Sequence, residues 1–222
     1  MKKVVIFGVG ENALLLRYYL ERDSKYKFEY KVVAFTLDRE YIREQVIDNL
    51  PVIPFDEIEK YFIPRETYMF IALGYSKMNT LREKKFIEAQ NKGYKFFNYI
   101  SSKAICNAEK IGINNFIFEG AIIHPFVEIG NNNVIMCGGI VSHDTKVGNN
   151  CYIAGGAAIS GKCVVEDNCF FGTNSTVRDN LKIKYKTLVG AAAWISINTE
   201  EYDTYIASNG IKVKKKSIDI KI

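Results

Sequence analysis

The sequence predicts a two-part fold: an α/β unit of about 100 residues followed by a parallel β-helix. Three observations lead there. First, residues are unevenly distributed: up to Ile100 the chain holds ten of its 14 tyrosines and four of its 16 glycines, and the remaining twelve glycines and all five cysteines follow. Second, an unbroken six-residue aliphatic or aromatic period runs from Ile105 to Val189. Third, the N-terminal segment has the order strand, glycine-rich turn, helix, strand, acid. We therefore divide the 222 residues into an α/β domain over 1–100, a coil domain over 101–195 and a C-terminal capping tail over 196–222.

In the first domain, Val4-Val5-Ile6-Phe7 is a short apolar run that ends in Gly8-Val9-Gly10-Glu11-Asn12-Ala13 and passes into a leucine-rich helical stretch through Arg22. A second run, Val32-Val33-Ala34-Phe35, closes on Asp38, and a third, Tyr68 to Leu73, ends at Gly74. A helix from Thr80 to Lys92 stopped by Gly93 and a last strand over Phe96 to Ile100 complete a parallel sheet of about four strands. This order is that of one mononucleotide-binding, Rossmann-like unit, in which backbone N–H groups at a helix start meet phosphates. It is too short for the two halves a full dinucleotide site needs.

In the second domain, stepping by six from Ile105 reads Ile111, Ile117, Ile123, Ile129, Ile135, Val141, Val147, Ile153, Ile159, Val165, Phe171, Val177, Ile183 and Val189. Neither a helix nor an alternating strand has this period. The position four residues after each is mostly small, with Asn115, Asn133 and Leu181 as departures. Each step is one short strand plus a corner, and three steps make one coil. Residues 105–190 supply four to five such coils, stacked to roughly 25 Å at the spacing of paired strands. Cys151, Cys163 and Cys169 fall in the small-residue row, so packing is their role.

Net charge is +5, from 30 basic and 25 acidic groups, which gives no reason to expect a nucleic-acid partner; only Lys212, Lys214, Lys215 and Lys216 are locally basic. No stretch reaches the roughly 18 apolar residues of a membrane span, and the start reads as a strand rather than a leader, so a cytoplasmic location is expected. Only two histidines exist, His124 and His143. The second follows the first by slightly more than one coil, so they sit on adjacent coils near one corner. Two histidines are too few for a zinc site of three, and no metal is expected.

The repeat resembles the hexapeptide repeat of left-handed β-helix acyltransferases, and the left-handed winding is taken from that resemblance. On such a coil a neutral imidazole at a subunit interface can take the proton of an amine or hydroxyl as it attacks a thioester, with a carboxylate fixing the tautomer. Joined to the short α/β domain, Ser142-His143-Asp144 followed by Val147-Gly148 resembles the NeuD/PglD-type sugar acyltransferases. The stretches Leu73-Gly74-Tyr75-Ser76-Lys77-Met78-Asn79, Leu81-Arg82-Glu83 and Asn98 to Ala104 are similar to the branch that acylates amino-deoxy sugars on nucleotides.

That resemblance implies a homotrimer, acetyl-CoA as cosubstrate, and a UDP- or dTDP-linked amino sugar whose N-acetylated product goes to a surface glycan. It makes His143 the catalytic base, helped by Asp144. Gly8, Gly10, Asp38, Ala72 and Gly74 would contact the nucleotide sugar, and Gly156, Gly172, Asn174, Gly190 and Ala191 would line the CoA groove. The sequence departs from the family at Glu11-Asn12, where small residues and histidine are common. It departs also at Tyr152, often a second histidine, and at the missing Gly-x-Pro-Ala-Lys near Ala207 to Lys212. Transfer to a sugar hydroxyl, and a β-helix scaffold without catalysis, are the alternatives.

Overall fold

A computed structural model describes residues 1–209. The four tail lysines, which charge alone would let meet the 3′-phosphate of CoA, lie outside the described residues.

In the α/β domain, β1 (Lys2–Phe7), β2 (Tyr30–Leu37), β3 (Val46–Ile47), β4 (Leu50–Pro54) and β5 (Thr67–Ile71) form one sheet in the order β3-β4-β2-β1-β5. All pairings are parallel except the short β3–β4 edge. Val4, Val5, Ile6 and Phe7 are buried because helices cover the sheet. Helix α1 (Glu11–Arg22) buries Ala13, Leu16 and Leu20, and α2 (Thr80–Asn91) buries Arg82, Lys85, Phe86 and Ala89, each a stripe at helical spacing. Four parallel strands are present as read from the sequence, but the fourth is β4. The run Phe96 to Ile100 does not join this sheet; Tyr99–Ile100 pairs with Phe116–Ile117 and opens the coil stack.

The coils form three parallel sheets of seven, six and five two-residue strands. Seven levels at the usual strand spacing give a prism about 29 Å tall, more than the 105–190 ladder implied. The extra levels are Tyr99–Ile100 at one end and, at the other, Trp194–Ile195 and Thr204–Tyr205, the last pairing with Leu188–Val189. The aliphatic ladder points inward from Ile117 to Ile195 and is almost fully buried. Ile105 is a correction: it aligns with the outward Ile122 and is exposed, while Cys106 aligns with Ile123. The first turn, between Cys106 and Ile111, is one residue shorter than its successors.

From Asn114 to Ala192 each corner has one residue of positive φ, recurring once per coil: Asn114, Asn132, Asn150, Asn168 and Lys186 at one corner, Phe126, Asp144, Lys162 and Asn180 at the second, Gly120, Gly138, Gly156, Asn174 and Ala192 at the third. The small-residue row also has a bonding role. Asn115 Nδ2, Asn133 Nδ2, Thr145 Oγ1 and the thiols of Cys151, Cys163 and Cys169 each donate to the carbonyl fifteen residues on. The two asparagines that interrupt the small row therefore satisfy buried carbonyls of the next coil. Burial pushes the Cys151 and Cys163 thiols up, consistent with unreactive packing groups.

The three faces differ. The seven-stranded face meets the α/β domain, and Phe116, Val134 and Tyr152 belong to that domain's core. The five-stranded face displays Lys110, Glu128, Lys146 and Lys182, with Glu128 bridging Lys110 and Lys146. The six-stranded face turns out Ile122, Ile140, Ala158, Thr176 and Trp194.

Arg82 locks domain to coil. Its side chain is fully buried, and it donates to the carbonyls of Asn132 (3.1 Å), Asn150 (2.7 Å), Cys151 (3.1 Å) and Gly74 (2.9 Å) and to Asn79 Oδ1 (3.1 Å). Burial lowers its pKa to about 10, so it stays charged at neutral pH. Arg82→Met strands the buried carbonyls of Asn132 and Asn150, and denaturant unfolding is expected to show a loss of about 3 kcal/mol.

Candidate active site

Two separate places on the chain carry the sequence-predicted residues. The first is a cleft of about 330 Å³ where the α/β domain meets the coils, lined by Gly10, Glu11, Asn12, Ala72, Leu73, Gly74, Tyr75 and Tyr152. Its floor is built by the C-terminal ends of the adjacent strands β1 and β5, the edge at which open parallel sheets bind ligands. Gly8, at φ +120°, makes the tight exit from β1, and a Cβ there would stand 3.3 Å from the Ala72 carbonyl. Gly10 and Gly74 are different. Neither has a positive φ, and a Cβ on either would meet nothing within 4 Å. Neither strain nor packing demands glycine at these two positions; their bare backbone enlarges the cleft.

One wall is aromatic. Tyr75, half exposed, packs against Tyr152 at 5.0 Å and Phe170 at 4.8 Å between ring centroids. Burial raises the Tyr152 pKa, keeping its hydroxyl protonated. Arg82 fixes the opposite side by holding the Gly74 carbonyl.

Asp38 follows β2, next to β1 in the sheet, but does not line this cleft. Lys85 Nζ holds its carboxylate at 2.6 Å and also pairs with Glu88 at 2.8 Å. Burial opposes the Lys85 charge, yet these two carboxylates hold its pKa above the ordinary value. Asp38 lines a second cleft of about 370 Å³ with Arg39, Glu40, Asp56, Lys84 and Lys85.

The second place is the corner between the six- and five-stranded faces. His143 Nδ1 lies 2.7 Å from Asp144 Oδ2, and the two side chains are 54% and 47% exposed. A carboxylate can only accept, so Nδ1 carries the proton and Nε2 presents its lone pair. Asp144 is the positive-φ residue of this corner at +59°, which turns its side chain back alongside the imidazole. Gly161, one coil up, is the residue the sequence reading missed. A Cβ there would stand 2.8 Å from both Cε1 and Nε2 of His143, so the ring lies across a bare backbone. Its only sequence signal is a glycine one coil after the histidine. His124 occupies the same corner one level down, in line with Ser142 rather than His143, and is partly buried.

Gly156, Gly172, Asn174, Gly190 and Ala191 share the third corner, between the seven- and six-stranded faces. Packing within the stack accounts for two of these glycines. A Cβ at Gly156 would fall 2.2 Å from Asn174 Oδ1, and one at Gly172 would fall 2.5 Å from the Ala191 nitrogen. Among the described residues no group of three or more His, Cys, Asp or Glu could hold a metal ion, and no helix is long and apolar enough to cross a membrane.

Fold and site together define a β-helix of hexapeptide coils carrying an α/β domain on one face and an Asp-oriented histidine on the opposite corner. The family model for bacterial transferase hexapeptide repeats matches residues 144–179. No curated protein matches the chain. Among solved structures, the acetyltransferase domain of PglB from Neisseria gonorrhoeae is 20% identical with a TM-score of 0.80, covering 92% of this chain and 96% of that one. A mutant of perosamine N-acetyltransferase from Caulobacter crescentus, in complex with CoA and GDP-perosamine, is 23% identical with a TM-score of 0.81, covering 92% and 93%. WeeI from Acinetobacter baumannii AYE is 19% identical with a TM-score of 0.76, covering 92% and 96%. The chain shares the fold of these proteins over both domains.

Gly161→Ala places a methyl where the His143 ring now lies. It is expected to leave the unfolding midpoint nearly unchanged while shifting the His143 ring signals in a ¹H–¹⁵N spectrum; unmoved signals would mean the ring does not rest on Gly161.

Proposed function

We propose that this protein is an acetyl-CoA-dependent N-acetyltransferase acting on a nucleotide-linked amino-deoxy sugar, UDP- or dTDP-linked, in the cytoplasmic stage of surface-glycan synthesis. The observation that carries the reading is the His143–Asp144 pair: an exposed imidazole with Nδ1 fixed by a carboxylate and Nε2 free to accept a proton. The fold supports it, since similar structures include sugar acetyltransferases, one crystallised with CoA and GDP-perosamine and one with acetyl coenzyme A.

In this reading His143 Nε2 removes a proton from the sugar amine as its nitrogen attacks the thioester carbonyl. The C–N bond forms, the C–S bond breaks, and the thiol leaves protonated. Asp144 keeps the ring in the accepting tautomer and steadies the imidazolium. Backbone N–H groups of the glycine-rich third corner, around Gly156, Gly172, Asn174, Gly190 and Ala191, are suited to the thioester and pantetheine of acetyl-CoA. Gly8, Gly10, Ala72 and Gly74 would take the sugar end of the nucleotide-linked acceptor, and Asp38 with the basic Arg39 and Lys84 beside it would face the nucleotide end.

The topology supports a homotrimer. The cleft opens on the seven-stranded face, and the corner of His143 is the one corner of the three-sided prism that does not border that face. A sugar in the cleft therefore meets the histidine of another copy, not its own. The apolar six-stranded face, ending at the two-thirds exposed Trp194, is suited to the contact.

Free thiol released from acetyl-CoA with a panel of nucleotide amino sugars is the direct test. His143→Ala is expected to lower kcat by about 100-fold or more with a small change in KM. Because the amine must be neutral to attack, the rate should rise with pH through the amine's titration. A panel that releases no thiol would leave the fold as a scaffold.

A further inference from the structure

The charge of the cleft is opposite to what a phosphate requires. Among the described residues, Glu11 is the sole carboxylate or cation lining it, and no lysine, arginine or histidine does. Among the described residues the Glu11 carboxylate has neither an ion-pair partner nor a hydrogen-bond donor within range. Arg82 stands behind Gly74, but its N–H groups are taken up by carbonyls and Asn79, so it offers the cleft no donor. Glu11 is also the first residue of α1. The rings of Tyr75 and Tyr152, whose faces attract cations, line the same cleft.

A free carboxylate that shares a cleft with two tyrosine rings, with no basic residue among the described lining, is a site for an ammonium group. We propose that Glu11, with Tyr75 and Tyr152, binds the acceptor amine in its protonated form and so selects amino sugars over their hydroxyl counterparts. This rests on the transferase reading above and decides within it between transfer to nitrogen and transfer to oxygen. It also reassigns the Gly8–Ala13 turn: the amine end of the sugar lies here, and the phosphates lie away from Glu11, toward Arg39 and Lys84.

The chemistry balances with the acceptor bound as R–NH3⁺. One proton passes to Nε2 of His143 of the partner subunit, the neutral nitrogen attacks the thioester carbon, and the C–S bond breaks. The nitrogen's second proton goes to the departing sulfur. The sum is R–NH3⁺ plus acetyl-CoA giving R–NH–CO–CH3, CoA thiol and one H⁺.

Equilibrium binding separates this inference from the transferase reading, because it needs no turnover. A nucleotide-linked 4-amino-4,6-dideoxyhexose and its 4-hydroxy counterpart, each as the UDP, dTDP and GDP form, are titrated calorimetrically into the full chain. At pH 7 the wild type should bind the amine about 10-fold more tightly than the hydroxyl sugar, as a charged hydrogen bond provides. The preference should fade as pH rises past the amine's titration. Glu11→Gln should remove the preference while changing affinity for the hydroxyl sugar by less than about 2-fold. Its unfolding midpoint should match the wild type.

A preference that survives Glu11→Gln, a wild type with no preference, or no binding of any amine would each overturn the proposal. Loss of the preference in Glu11→Gln without any thiol release from acetyl-CoA would uphold the amine site and reject the transferase reading. Thiol release with equal selectivity in both proteins would do the reverse.

Discussion

The requirement that each coil close flat after three strands and three corners governs the second domain and, through it, the site. From Asn114 to Ala192 every corner has a residue with positive φ, and the short strands turn an apolar side chain inward. Once these are met, every residue stacks on its counterpart one coil away. That stacking puts Gly161 over His143, Asn174 over Gly156 and Ala191 beside Gly172. It also explains why asparagine, threonine and cysteine can share one buried row: each is small and each has a donor for the carbonyl of the following coil. The cysteines are thus part of the hydrogen-bonding of the stack.

The α/β domain is tied to this stack through polar groups as well as through an aromatic core. Arg82 reaches carbonyls at two coil corners and the Gly74 loop together. A ladder of asparagine side chains runs beside it: Asn114 accepts from the Ile71 N–H at the end of β5 and donates to Asn132, which donates to Asn150. Both connections end at the strand edge that floors the cleft. The cleft is therefore held by the same bonds that dock the domains, and its shape depends on the register between sheet and coils.

Within that frame the charges divide the work. The cleft offers a carboxylate, aromatic rings and bare glycine backbone; Arg39, Lys84 and Lys85 gather with Asp38, Glu40 and Asp56 at the next strand end. The histidine lies on the corner away from both. Under the transferase function we propose, the cleft would be a binding half and His143 a base half on different sides of the prism, to be brought together by copies of the chain set side by side.

Much of this was legible in the sequence because periodicity is a local property. The six-residue ladder marks the coils, the GxGxxA turn and the runs before Asp38 and Gly74 mark three of the sheet strands, and Ser142-His143-Asp144 marks a corner with an acid beside a base. The ends of the stack were not legible: Phe96 to Ile100 has the composition of a sheet strand, and only tertiary packing sends Tyr99–Ile100 to the coils. Ile105 fits the ladder by count, yet a turn shortened by one residue puts it outside. Asp38 reads as a ligand contact, and only the fold shows that Lys85, 47 residues on, holds its carboxylate. Gly161, the wall of Tyr75 and Tyr152, and the link from Arg82 to Gly74 depend on contacts between residues far apart in the chain. Sequence alone settles the coils, their corners and the presence of an acid beside His143. Which groups share a cleft is decided in three dimensions, because charge compensation and docking are set by approach in space and leave no period along the chain.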